Sequence, residues 1–175
     1  VNWEMLGTLI DWQIENGTDC IVISGTTGEA STLTDEEHVE TIRYTVERVA
    51  GRVPVIAGAG SNHTDYALWL SKQAAQAGAD GLLHVTPYYN KTSQAGLIKH
   101  FTTLADATDL PVVLYNVPSR TGLNITPQTY YELSKHPNIV ATKEASGNLS
   151  AIATTRYLCG DNLDIYSGND DQILP

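Results

Sequence analysis

Lys143 is the residue of this chain best suited to covalent chemistry. It ends a short apolar run, residues 139–142, and small, turn-forming side chains begin two residues later. This pattern predicts a strand end from which an amine projects. Catalytic groups collect at strand ends in chains of alternating strands and helices, and a partly desolvated lysine there can attack a carbonyl carbon. Taken alone, such a residue is more often a solvated surface lysine, so the interpretation depends on its neighbours.

A second predicted strand, residues 111–115, ends in a phenol, and the loop that follows carries a guanidinium. Tyr115 lies one strand before Lys143 and could relay protons while an imine forms. Arg120 sits in a loop shaped by Pro118 and Gly122, where it can present a fixed fork to a carboxylate. A solvated surface arginine remains the alternative for Arg120.

Other strand ends offer further binding groups. Residues 24–29 supply the hydroxyls of Thr26 and Thr27 and several free backbone N–H groups, which suit a carboxylate, although a plain β-to-α turn has a similar composition. Gly168, after the last predicted strand, permits close approach by a ligand. Tyr88 and Tyr89 follow the strand at 81–85, but paired tyrosines are more often core or interface residues.

Metal and nucleotide chemistry receive little support. The histidines are scattered, with none at the spacing of a local ligand pair, so metal-assisted aldol chemistry is disfavoured and no metal is predicted. Residues 58–63 begin like a dinucleotide-binding loop but lack its third glycine, and we interpret them as a structural turn. Together the candidate groups describe carbonyl chemistry through an amine.

Composition limits the partners of this 175-residue chain. It has 42% hydrophobic and 17% charged residues, typical of a folded globular protein. A formal net charge of −10 without any basic run argues against nucleic acid and anionic membranes. No apolar stretch approaches the roughly 18 residues of a membrane span, and the first residues do not resemble a signal peptide. We therefore expect a cytoplasmic location.

Alternating strands and helices must position these groups. Apolar runs predict six parallel strands at 20–23, 53–57, 81–85, 111–115, 139–143 and 163–166. Amphipathic segments predict helices at 2–15, 34–49, 65–77, 93–107, 127–135 and 150–158. The repeat of about 29 residues is close to the ~31 of a (β/α)8 barrel, the TIM-barrel fold of the α/β class. A doubly wound open sheet is the alternative.

The number of strands does not complete a barrel. The chain opens on a helix and stops soon after the sixth strand, so about six βα units are present where eight are needed. An open six-stranded sheet would leave two long hydrophobic edges, which folded proteins avoid. We therefore expect residues 1–175 to be part of a single barrel domain that lacks its first and last strands.

Four motifs resemble the dihydrodipicolinate synthase family, within the N-acetylneuraminate lyase superfamily of class I pyruvate-dependent aldolases. They are residues 25–29, 88–91, 115–122 and 143–147, in order along the whole chain. The resemblance implies a (β/α)8 barrel with a C-terminal helical extension that is absent here. It also implies that Lys143 forms a Schiff base with pyruvate, with no other cofactor. The enamine then attacks L-aspartate-4-semialdehyde, in lysine and diaminopimelate biosynthesis.

The resemblance also implies roles for the neighbouring residues. Thr26 and Thr27 would contact pyruvate, and Thr27 and Tyr115 would join a proton relay. Tyr89 would complete the relay from a neighbouring subunit of a homo-oligomer, a dimer of dimers. Arg120 would bind the semialdehyde carboxylate. Gly168 would line the pyruvate pocket.

Feedback inhibition by lysine is a further implication. His38, Asn62 and Tyr88 match positions that bind lysine in inhibited family members, although these residues could instead only pack an interface. Asp35 and Tyr66 replace the His and Glu expected there, and losing the Glu removes a counter-charge for the lysine ammonium. Weak or absent inhibition is predicted.

Three alternatives to this function stay open. Another class I pyruvate-dependent aldolase, such as N-acetylneuraminate lyase or a keto-deoxy sugar acid aldolase, would share the lysine and tyrosine but typically not Arg120 or the double threonine. A non-catalytic binding barrel would be expected to lose the lysine or the tyrosine. The 175-residue chain could also be inactive by itself.

Overall fold

A computed structural model describes residues 1–173 and contains one parallel sheet of six strands. The strands lie side by side in chain order: β1 (Ile21–Ile23), β2 (Val55–Gly58), β3 (Gly81–Val85), β4 (Val112–Asn116), β5 (Ile139–Glu144) and β6 (Asp164–Ser167). All six predicted strands are confirmed, with carboxyl ends that differ from the predicted ones by no more than one residue.

The strand order decides between the two predicted architectures. A doubly wound sheet reverses its order at a switch point, whereas here every strand pairs with the next one along the chain. Parallel strands joined in sequence by helical crossovers are the arrangement of a (β/α)8 barrel. The chain therefore forms six consecutive units of an incomplete TIM barrel, as predicted.

All the helices except α5 form where the sequence predicts them, and side-chain caps explain the starts of α1, α2, α4, α6 and α7. They are α1 (Trp3–Glu15), α2 (Asp35–Val49), α3 (Thr64–Gln76), α4 (Gln94–Ala105), α5 (Pro118–Thr121), α6 (Pro127–Leu133) and α7 (Leu149–Cys159). Helix α2 begins with a capping box, in which the hydroxyl of Thr34 accepts from the Glu37 N–H and the Glu37 carboxylate accepts from the Thr34 N–H. Among residues 1–173, no helix is both long and apolar enough to cross a membrane.

The main core lies between the sheet and the helices. Residues 112, 114 and 116 of β4 are buried beneath the helices, whereas residues 113 and 115 alternate with them and are half-buried. Large buried side chains from both layers fill this core: Ile42, Leu70, Leu82, Phe101, Leu104, Leu114, Tyr130 and Leu133. Alternate side chains of each strand therefore face away from the helices, and these are available for a site.

Several short elements were not predicted. Single turns of 3-10 helix occur at Thr26–Gly28 and Ala30–Thr32, in the loop after β1, and the four-residue helix α5 occurs after β4. Helix α5 has a sequence signal that could have been used, because Pro118 occupies its first turn and Gly122 ends it with a φ of 70°. The 3-10 turn at Thr26–Gly28 and helix α5 carry residues of the candidate site.

Candidate active site

Tyr115 and Lys143 lie directly opposite each other at the carboxyl ends of β4 and β5. They are register partners, and the Lys143 Nζ lies 4.4 Å from the centroid of the Tyr115 ring. Both side chains are half-buried, on the side of the sheet away from the helices. An amine and a phenol predicted from separate motifs are therefore brought together.

Gly168 lies against this pair from β6. Its N–H donates to the Glu144 carbonyl at 2.7 Å, which draws the two strand ends together. A Cβ added at Gly168 would lie 2.9 Å from the Ala145 Cβ and 3.4 Å from the Lys143 Cε. Glycine therefore leaves the space beside the lysine stem open, and its place next to a ligand stays a prediction.

Arg120 projects from helix α5, in the loop that follows Tyr115. The helix is closed by the N–H of Gly122, which donates to the Pro118 carbonyl at 2.8 Å. The Arg120 side chain is exposed, and among the described residues no carboxylate lies within 4.0 Å of its guanidinium. Its bidentate donors are thus available to an anionic ligand.

Thr26 and Thr27 occupy the 3-10 turn after β1 and are exposed. Strand β1 is three places from β4 in the sheet, and no hydrogen bond joins either hydroxyl to Tyr115 within residues 1–173. The loop after β1 packs closely against the end of β2, since a Cβ at Gly58 would overlap the Ser24 carbonyl oxygen. The segment at 58–63 is accordingly a close-packed structural turn, as predicted.

Tyr89 lies in the loop after β3, and within residues 1–173 no side-chain hydrogen bond joins it to Tyr115 or Lys143. It is 91% exposed and has a φ of 68°, which is unusual for a non-glycine residue. Its N–H donates to the Thr121 carbonyl at 3.4 Å, so this strained turn is attached to helix α5. Within one chain, Tyr89 does not belong to the cluster around Lys143.

The residues predicted for lysine binding are largely engaged with each other or with the backbone. The buried ring of His38 donates through Nε2 to the Gly58 carbonyl at 2.8 Å. The amide of Asn62 donates to the carbonyl of Tyr88 at 3.2 Å.

The two residues that depart from the inhibited pattern bind each other. The Tyr66 hydroxyl donates to the Asp35 carboxylate at 2.6 Å. Burial and the Asp35 carboxylate raise the pKa of Tyr66 to about 12.

A buried polar cluster behind the site was missed by the sequence analysis. Glu144, next to Lys143, is 6% exposed and accepts hydrogen bonds from the Asn116 amide, the Tyr130 hydroxyl and the Ser146 N–H. Burial and the nearby Glu144 carboxylate raise the pKa of Tyr130 well above its usual value. The available signal was a charged residue following Lys143 in an apolar strand, where alternation directs it toward the helices.

No group of three or more His, Cys, Asp or Glu side chains in the described part of the chain is arranged to hold a metal ion. The chemistry that the site offers comes from its amine, phenol and guanidinium, with the loop after β1 at the same edge of the sheet.

Comparison with known proteins agrees with this geometry. The sequence profile of the dihydrodipicolinate synthetase family matches residues 1–175. The chain is 62% identical, over 175 residues, to a 4-hydroxy-tetrahydrodipicolinate synthase of Caldicellulosiruptor saccharolyticus, and it spans 59% of that protein's length.

Solved structures are similar as well. A dihydrodipicolinate synthase from Acinetobacter baumannii, in complex with pyruvate, superposes with a TM-score of 0.95 at 44% identity, covering 98% of this chain and 59% of the other. The enzyme from Cyanidioschyzon merolae, with lysine bound, gives 0.94 at 47% identity, covering 97% and 58%. These similarities agree with the strand order and with the placement of Lys143 beside Tyr115. We conclude that the chain belongs to the dihydrodipicolinate synthetase family.

Proposed function

We propose that the protein is a 4-hydroxy-tetrahydrodipicolinate synthase, a lyase that condenses pyruvate with L-aspartate-4-semialdehyde in lysine and diaminopimelate biosynthesis. The observation that carries the proposal is the pairing of Tyr115 with Lys143, whose amine lies 4.4 Å from the phenol ring. Its family membership supports the choice of substrates, because two relatives at 62% and 60% identity carry this name. Residues 1–175 would form part of one catalytic domain, in a cytoplasmic enzyme.

The first step is covalent and needs no metal or organic cofactor. The Lys143 amine attacks C2 of pyruvate, and the carbonyl oxygen leaves as water to give an imine. Loss of a proton from C3 gives an enamine, which forms a carbon–carbon bond with the aldehyde carbon of the second substrate while the aldehyde oxygen takes up a proton. Tyr115, whose ring lies beside the Lys143 amine, would carry these protons, with Thr27 as the next member of the relay.

Binding groups surround this centre. Thr26 and Thr27 would hold the pyruvate carboxylate through their hydroxyls and the N–H groups of the turn, and Gly168 leaves room beside the lysine. Arg120 would bind the semialdehyde carboxylate with the fork of N–H donors of its guanidinium. Tyr89, exposed and on a strained turn, is suited to enter the site of a second copy, so a homo-oligomer, a dimer of dimers by family resemblance, is part of the proposal.

Trapping of the imine tests the covalent step. After incubation of the complete protein with pyruvate and borohydride, peptide mass spectrometry should find a reduced adduct on Lys143, and K143M should abolish it. K72M, at an exposed position on α3, is the matched control and should be labelled as the unaltered protein is. A folded protein that forms no adduct on Lys143 would refute the mechanism.

The acceptor is tested separately. With pyruvate bound, the protein should turn over aspartate-semialdehyde and show little activity on N-acetylneuraminate or keto-deoxy sugar acids. R120A should raise the KM for the semialdehyde without preventing the pyruvate adduct, because only the second substrate would contact the guanidinium. Preference for a sugar acid would instead assign the chain to one of the other aldolases.

We also propose that free lysine inhibits this enzyme weakly or not at all. The hydrogen bond between Tyr66 and Asp35 occupies both residues that depart from the inhibited pattern, and Tyr66 supplies no charge for a lysine ammonium. Millimolar lysine should leave most of the activity, and Y66E, which restores a carboxylate, should increase inhibition. Strong inhibition of the unaltered enzyme at micromolar lysine would contradict this prediction.

A further inference from the structure

The cluster behind the active site is centred on a carboxylate that has only neutral donors in the described part of the chain. The Glu144 oxygens accept from Asn116 Nδ2 at 3.1 and 3.2 Å, from the Tyr130 hydroxyl at 2.7 Å and from the Ser146 N–H at 2.8 Å. Removing a carboxylate from water is costly unless its bonds are replaced, and a buried carboxylate adds no stability over an apolar residue of the same shape. Its presence here calls for a role other than general stability.

The cluster lies one residue beyond the reacting pair. Asn116 and Glu144 are register partners, immediately after the partners Tyr115 and Lys143, and they are buried on the opposite side of the sheet. The Asn116–Glu144 hydrogen bonds are therefore a side-chain link between β4 and β5 directly behind the amine and the phenol. Any relative shift of the two strands would stretch this link.

The backbone pairing of these strands contains one change of register, on the amino-terminal side of the reacting pair. Val112 pairs with Ile139 whereas Val113 pairs with Ala141, so one residue of β5 is skipped near the start of the pairing. A slip of one residue turns every side chain to the other face of a sheet. At this site the slip would move the Lys143 amine to the helix side, away from Tyr115.

The same cluster holds two other parts of the site. The Asn116 side chain donates to Asn124 Oδ1 at 2.9 Å and accepts from the Ile125 N–H at 3.1 Å, which closes the loop that carries Arg120. The Glu144 carbonyl accepts from the Gly168 N–H at 2.7 Å.

From this arrangement we infer that Glu144 is a positioning residue: paired with Asn116, it locks the register of β4 and β5 so that Lys143 stays opposite Tyr115. The consequence for catalysis rests on the proposed function. Glu144 faces away from the substrates and does not react with them.

Exchanging the hydrogen-bond donor and acceptor between Asn116 and Glu144 tests whether their hydrogen bonds fix the register of β4 and β5. In N116D two carboxylates face each other, so this variant of the complete protein should lose about tenfold or more in kcat and in the rate of adduct formation, with a smaller change in the KM for pyruvate. E144Q is the milder change, because its amide oxygen can still accept from Asn116 Nδ2. The double variant N116D/E144Q restores a donor opposite an acceptor and should recover most of the activity that N116D loses. A double variant no better than N116D would overturn the inference.

Two measurements separate positioning from stability and from the proposed function. Y130F removes one donor but leaves the Asn116–Glu144 link, so it should lower the denaturation midpoint while kcat stays within about threefold; a loss equal to that of N116D would overturn the inference. Amide hydrogen exchange in β4 and β5 should quicken in N116D and slow again in the double variant. This readout needs no activity, so it tests the lock even if the unaltered protein forms no pyruvate adduct.

Discussion

At the scale of single residues, the arrangement around Lys143 depends on what stands beside it as much as on the lysine. Tyr115 contacts the amine from β4, and Gly168 leaves space for the lysine stem from β6. All three residues were predicted from the sequence, because each lies at or just after the end of a predicted strand. Glu144 was not predicted, because its partners Asn116 and Tyr130 lie 28 and 14 residues away in the chain.

The space beside Lys143 makes G168A informative. The added methyl group would lie 2.9 Å from the Ala145 Cβ and 3.4 Å from the Lys143 Cε, so a neighbour has to move. We expect a fall of about tenfold or more in the rate of adduct formation, measured by borohydride trapping. The double variant G168A/A145G removes the closest contact and should recover part of the rate; if it recovers none, the crowding lies elsewhere.

At the scale of elements, local sequence signals predicted most of the framework. The Thr34 and Glu37 side chains, three residues apart, form a capping box at the start of the predicted helix α2. The loops were predicted less well, because the 3-10 turn that carries Thr26 and Thr27 and the helix α5 that carries Arg120 are shaped partly by neighbouring strand ends.

The cap of α2 gives a prediction for stability. T34A removes the hydroxyl that accepts from the Glu37 N–H, and we expect the free energy of unfolding to fall by about 1 kcal/mol. T154A is the matched control, since the Thr154 hydroxyl bonds only to a carbonyl within α7 and its loss should cost less than about 0.5 kcal/mol. Equal losses by urea denaturation would show that the cap contributes nothing specific.

At the scale of the whole molecule, an unbroken strand order makes the sheet part of a barrel and brings the strand ends to one edge. The interior of the layers contains histidines that the proposed chemistry does not use. His84 in β3 is fully buried, and its Nε2 lies 3.4 Å from the Ser71 hydroxyl. Burial, with the neighbouring His100, lowers the pKa of His84 to about 3, and burial lowers that of His100 to about 4.

These histidines predict a loss of stability in acid. Between about pH 6.5 and the lowered values, the unfolded chain binds protons that the folded chain does not, so the free energy of unfolding falls as the pH falls. H84Q should reduce this slope by about one proton, ~1.4 kcal/mol per pH unit, between pH 6 and 4. An unaltered slope in H84Q, measured by denaturant titration, would contradict the prediction.

The sequence by itself determined the strands, the helices, the class of fold and the residues that end each strand, because periodicity, caps and turn residues act over short distances along the chain. Only the tertiary structure decided that Tyr115 and Lys143 share a register, that Tyr66 binds Asp35, and that Glu144 links β4 to α6. Those contacts join residues that are distant in the chain. Which partners meet is set by strand pairing and by the burial of polar groups that must find hydrogen bonds.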